Sequence, residues 1–177
     1  MHRPLLLLPL FALPAGALDQ NNNQQSDVWE LAFGASGLPA AADADGDGYT
    51  NATESLAGTN PLSALDFPAL EMAAEGGAFR FRWHGVAGKR YAMLASEGLN
   101  PASWAAASGN MTGSGGIDTA GVSAGVFSRR FFKMSVSDQD TDADGFSDAD
   151  EALVGLTRGR TGPGGIRNWT ARVWPLD

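Results

Sequence analysis

The chain has 177 residues, 44% hydrophobic and 18% charged, with a formal net charge of −8 and no cysteine. That composition suits a folded chain of one ordinary domain or two small ones and excludes a disordered one. Without cysteine there are no disulfides, thiolate metal sites or thiol catalysis, and no basic stripe offers itself to nucleic acid.

The N-terminus carries the marks of a processing signal. His2 and Arg3 precede a mostly Leu run, Leu5–Leu13, and Ala15-Gly16-Ala17 supplies a small-x-small cleavage pattern. Residues 1–17 are therefore expected to be a signal peptide cut after Ala17, which makes the protein secreted or displayed at the cell surface. The run is far short of the ~20 apolar residues that a spanning helix needs, and no later stretch qualifies, so the mature chain should have no membrane span. A polar spacer, residues 18–25, follows and should be mobile. Ser26 then caps a short helix, Asp27–Phe33, ended by Gly34, Gly37 and Pro39. An acidic loop, Asp43–Glu54, leads into a brief helix through Leu56, stopped by Gly58 and Pro61, so that residues 26–62 form one unit.

Residues 66–137 read as β-structure. Phe79-Arg80-Phe81-Arg82-Trp83 alternates strictly, with three aromatics on one face and two arginines on the other. Gly85–Gly88 is a turn, Arg90–Ser96 resumes an extended pattern, and Phe132, Met134 and Val136 repeat the alternation. The Gly-rich stretch Gly109–Gly125 holds only weak strands around Ile117 and Val122. The fold class is thus mainly β: a small antiparallel β-sandwich-like module, flanked by two acidic loops that each lead into a short exit helix. The second loop occupies residues 138–157, and a Gly-rich basic segment, 158–177, closes the chain.

The two loops are copies of one another. Asp43–Asn60 aligns without gaps on Asp140–Thr157, sharing Asp43/Asp140, Asp45/Asp142, Asp47/Asp144, Gly48/Gly145, Glu54/Glu151 and Gly58/Gly155 among others. Ten of the twenty acidic residues lie in the two twelve-residue windows, Asp43–Glu54 and Asp140–Glu151, whereas Asp66–Val136 has five acids against seven Lys and Arg. Acidity concentrated at two points calls for cations. A hard divalent ion wants six to eight oxygens; carboxylates at loop positions 1, 3 and 5, a Gly at 6, the carbonyl of 7, a side chain at 9 and a Glu at 12 supply them. The first loop offers Asp43, Asp45, Asp47, the carbonyl of Tyr49, Asn51 and Glu54. The second offers Asp140, Asp142, Asp144, the carbonyl of Phe146, Asp148 and Glu151. Oxygen-only ligation in a flexible loop argues for Ca²⁺ over Mg²⁺, zinc or copper.

The pattern D-x-D-x-D-G-φ-[ST]-[DN]-x-x-E, followed in the first copy by Leu56-Ala57-Gly58-Thr59-Asn60-Pro61, resembles the thrombospondin type 3 repeat-like, EF-hand-like calcium loops of secreted bacterial proteins. The resemblance implies calcium binding at the cell surface or outside the cell, mostly in structural or adhesive settings; a cell-surface protein or polysaccharide is an expected partner that the residues themselves do not identify. One departure matters. Paired sensor loops carry an aliphatic residue at position 8, where this chain has Thr50 and Ser147, so constitutive sites are expected rather than a groove-opening switch.

No catalytic constellation stands out, and the chain is not expected to be an enzyme. His84 is the sole histidine after the signal peptide, and Glu71, Glu75, Glu97 and Asp118 show no pattern that pairs any two of them. Phe79, Phe81, Trp83, Tyr91 and Trp104 could stack on sugars, making this a carbohydrate- or partner-binding module with auxiliary calcium. Their period-2 placement fits a buried sheet face better.

Overall fold

The computed structural model describes residues 18–125 and 129–155. The expected signal peptide, 1–17, and the basic segment 158–177 lie outside the described residues. Among the described residues, seven strands and three α-helices follow one another in the order α1 (Asp27–Phe33), α2 (Asn51–Ala57), β1 (Leu70–Glu75), β2 (Ala78–His84), β3 (Arg90–Ser96), β4 (Ala105–Ala106), β5 (Met111–Thr112), β6 (Ile117–Ser123), β7 (Phe131–Ser137) and α3 (Asp148–Leu153), with a 3₁₀ turn at Pro101–Ser103.

The strands form two antiparallel sheets, as the alternating segments require. One has the order β1-β2-β6; in the other, β3 pairs with β7 on one side and with the short β4 and β5 on the other. Strand β2 buries Phe81 and Trp83 and turns Arg80 and Arg82 outward. Between the sheets these two rings meet Tyr91, Met93, Ala120 and Val122, with Phe79, Phe132, Met134 and Val136 packed around them. Phe132 is the inward member of the Phe131-Phe132 pair, its ring centroid 5.0 Å from those of Phe79 and Phe81. Most of the aromatics that could have made a sugar platform are therefore core, and half-buried Trp104 lies under Lys133, 4.6 Å from its Nζ.

Strand β1 is absent from the sequence expectations. Leu-Glu-Met-Ala-Ala-Glu is rich in helix formers, and all six residues are exposed. Its strand conformation comes from outside: Gly76 and Gly77 both adopt positive φ, +57° and +79°, as a two-residue hairpin turn needs, and the register then pairs Leu70 through Glu75 with β2. The weak signals around Ile117 and Val122 resolve into the single strand β6, paired along the full length of β2.

Each helix begins on a hydroxyl cap, Ser26, Thr50 or Ser147, whose oxygen accepts the backbone N–H three residues on. Helices α1 and α2 end on left-handed Gly34 and Gly58, while α3 stops at Val154. The segment expected to be a mobile spacer is instead folded against α1. Asp19 accepts the backbone N–H groups of Asn23 at 3.1 Å and Gln24 at 2.9 Å, and Gln25 is buried with its Nε2 donating to the Leu38 carbonyl. Short polar side chains that bond their own backbone have ordered what composition alone marks as linker.

The two acidic loops flank the β-module in sequence but meet in space. Ser26 donates its backbone N–H to Ser55 Oγ of α2 and its hydroxyl to Asp150 Oδ1 of α3, each at 2.8 Å. Trp29, 1% exposed, donates its indole N–H to the Thr59 carbonyl. The turn between β2 and β3 plugs into this junction. Lys89 is buried there, its Nζ 2.6 Å from Asp138 Oδ1 and 3.3 Å from the Ser55 carbonyl, and Gly88 lies directly on the backbone of Asp148 and Ala149.

Two substitutions test this docking. Gly88→Ala would place a methyl group into the Asp148–Ala149 backbone at a residue whose φ is +83°, costing about 2 kcal/mol and lowering Tm by roughly 4–8 °C in a thermal melt. Lys89→Met leaves Asp138 without its buried cation and should destabilise the fold by about 3 kcal/mol in urea unfolding. Unchanged midpoints would show that the turn does not hold the loops.

Candidate metal centres

Both acidic loops wrap in the same way. The first carboxylate accepts from the backbone of positions 4 and 6: Asp43 from Gly46 and Gly48, Asp140 from Ala143 and Gly145. The fifth accepts from position 7, Asp47 from Tyr49 at 2.8 Å and Asp144 from Phe146 at 3.0 Å. Positions 4 and 6 take positive φ, and Gly48 and Gly145 at +99° and +98° show why a residue without Cβ stands there. The result brings one oxygen from each of Asp43, Asp45 and Asp47 within 4.8 Å of one another, and likewise from Asp140, Asp142 and Asp144.

The first loop shows what this arrangement lacks. Asp45 Oδ2, Asp47 Oδ2, Asn51 Oδ1 and Glu54 Oε2 are all buried without a hydrogen-bond partner. Such atoms are rarely left unsatisfied, and four within one twelve-residue loop define a set of hard oxygen donors. Glu54 is fully buried; Thr59 Oγ1 reaches its Oε1 at 3.3 Å. Burial, and then the charges of Asp45 and Asp47, push its carboxyl up to about 7. Asp43 moves the other way, held below the usual carboxylate range chiefly by the Gly48 N–H. A divalent cation would relieve the repulsion and satisfy the orphaned oxygens together.

Other expected ligands are differently engaged. The Tyr49 ring stacks on Phe67, with centroids 6.3 Å apart. Asn51 donates Nδ2 to the Pro39 carbonyl, so only its Oδ1 is left to face an ion. In the second loop both Asp148 oxygens are met by Thr141, through its backbone N–H at 2.9 Å and its hydroxyl at 2.6 Å. Each of these oxygens keeps a second lone pair beside its bond to Thr141, so Asp148 can meet an ion directly or through a bridging water. Glu151 is buried at the start of α3, as Glu54 is in α2. The fastening roles of Ser26, Ser55, Asp150 and Lys89 were not legible in the sequence, where Ser26 reads only as a helix cap, because nothing local marks residues up to 124 positions apart as partners.

The raised Glu54 carboxyl sets a pH dependence. A folded-state value of about 7 against an ordinary 4.5 means that the cation-free fold binds an extra proton across that interval, so its stability falls as pH rises from 4.5 through 7. Thermal melts in chelator should accordingly give a higher Tm at pH 5 than at pH 7.5, and Glu54→Gln should flatten the trend.

Comparison with known families bears on both loops. No curated protein and no solved structure gives a significant match to the chain. Residues 43–64 and 140–155, which contain the two acidic triads, each match the family model of the bacterial TSP3 repeat.

Proposed function

We propose that this chain is a calcium-binding structural module of an exported protein, in which Ca²⁺ in the Asp43–Glu54 and Asp140–Glu151 loops rigidifies the junction that carries the β-sandwich. The observation that carries the reading is the set of orphaned oxygens of Asp45, Asp47, Asn51 and Glu54. The bacterial TSP3 match at both loops supports calcium as the ion. Bound calcium would supply charge neutralisation and a fixed centre for the loop; the chain's own part is to hold the oxygens and anchor the exit helices.

Binding belongs to the weaker, extracellular class, on the order of 10⁻⁴–10⁻³ M. Because α1, α2 and α3 share one junction, the ions act on a single structural unit rather than on separate hinges either side of the β-module. No catalytic role enters this reading. Glu75 and Glu71 pair with Arg80 and Arg82 on the exposed sheet face, and His84 is exposed at the end of β2. The setting is the cell surface or the medium, where the module presents its sheets to a surface protein or polysaccharide. Among the described residues no helix is long and apolar enough to cross a membrane.

Calorimetric titration should find two calcium ions per chain and one in each of Asp47→Ala and Asp144→Ala. At calcium 100 times Kd, each occupied site adds about 2.7 kcal/mol, a rise of roughly 5–10 °C in Tm. Equal melting temperatures in chelator and in millimolar calcium, with no heat of binding, would refute the proposal.

A further inference from the structure

The N-terminal segment Asp19–Glu30 repeats most of the geometry of the two acidic loops, although the family match begins only at residue 43 and Asp19 accepts the N–H of position 5 (Asn23) where Asp43 and Asp140 accept that of position 4. Numbered from Asp19, its position 4 (Asn22) and position 6 (Gln24) have φ of +56° and +72°, against +82° and +99° in the first acidic loop and +58° and +98° in the second. Position 1 accepts from the position-6 N–H at 2.9 Å, 2.9 Å and 3.0 Å in the three copies, and position 5 from position 7 at 2.9 Å, 2.8 Å and 3.0 Å. The backbone N–H of position 9 (Asp27, Asn51, Asp148) bonds the carbonyl just before the loop (Leu18, Ala42, Gln139) at 2.7, 2.7 and 2.6 Å. A hydroxyl at position 8 caps each exit helix, and a buried Glu stands at position 12.

The interior differs. Where the first acidic loop has Asp45 and Asp47, the N-terminal copy has Asn21 and Asn23. Each amide oxygen accepts a backbone N–H, of Asn23 and Gln25 respectively, and this fixes the NH₂ groups on the inner side. There Asn23 Nδ2 donates to Glu30 Oε1 at 2.9 Å and Asn21 Nδ2 to Glu30 Oε2 at 3.4 Å. Both oxygens of the position-12 carboxylate are thus met by protein donors, whereas Oε2 of Glu54 is orphaned. Carboxylates at positions 1, 3, 5, 9 and 12 number three here (Asp19, Asp27, Glu30), against four in the first acidic loop and five in the second. Fewer anionic ligands weaken the pull on a cation.

We propose that residues 19–30 are a third copy of the loop that is closed by carboxamides instead of an ion, and that it acts as a cation-independent clasp for the other two. Its position-8 residue, Ser26, reaches Ser55 of α2 and Asp150 of α3, so one residue of the self-closed copy touches the exit helices of both metal loops. The inference rests on the calcium reading of those loops for its contrast, but its backbone geometry does not.

Two measurements on the full chain test it. Calcium counting by calorimetry and native mass spectrometry should give two ions for the natural chain and three for Asn21→Asp/Asn23→Asp, which restores the carboxylates. Three ions in the natural chain, falling to two in Asp19→Ala, would overturn the proposal, because the amides would then be ligands. Hydrogen exchange in chelator should leave amides of residues 23–33 protected while those of 43–54 and 140–151 lose protection. Simultaneous loss in all three segments would overturn the clasp. Absence of calcium binding in every variant would refute the function proposed above, and the exchange pattern would still decide this inference.

Discussion

Carboxylates brought within 4.8 Å of one another inside a tight turn repel, and the fold of both acidic loops depends on how that repulsion is met. Backbone N–H groups meet part of it, which is why Asp43 and Asp140 each accept two of them. The remainder falls on oxygens that face inward, and in the first loop Asp45, Asp47 and Glu54 keep one each without a partner. The raised carboxyl of Glu54 is the same strain seen through a proton: burial beside two negative charges makes any positive guest welcome. A divalent cation answers it more completely, since it accepts many oxygens at once.

The exit helices carry the consequence outward. Each is under eight residues and too short to be stable alone. They persist because a hydroxyl caps each start and because they share one junction, where Ser26, Ser55, Asp150, Trp29 and Lys89 interlock. Ordering a loop therefore orders the helix that follows it, and the helix bears on its neighbours. The Lys89–Asp138 pair, nearly removed from solvent, couples this unit to the sheets, and Gly88 permits the approach by having no side chain.

The β-sandwich has a modest core whose aromatic residues are consumed by packing between the sheets. That leaves its outer face to the charged pairs of Arg80 and Arg82 with Glu75 and Glu71, which are exposed and contribute little to stability. A small core fastened to the junction of the three helices gains rigidity that its own buried area does not provide.

Local chemistry was sufficient for much of this structure. The clustering of the acidic triads, the Ser26 cap, the bounds of α1 and the inward face of β2 were all legible from the sequence, because each is set by residues within a dozen positions of one another. Two things were not legible. Leu70–Glu75 has the composition of a helix and becomes a strand only when a Gly-Gly turn presents it to β2. Asp19–Gln25 has the composition of a linker, and its likeness to the acidic loops was hidden by Asn at positions 3 and 5 and Gln in place of Gly. Backbone dihedrals and hydrogen bonds revealed it. The meeting of the loops was a matter for tertiary structure alone, since a hydrogen bond from Ser26 to Asp150 spans 124 positions and depends on a sandwich that returns the chain to where it began.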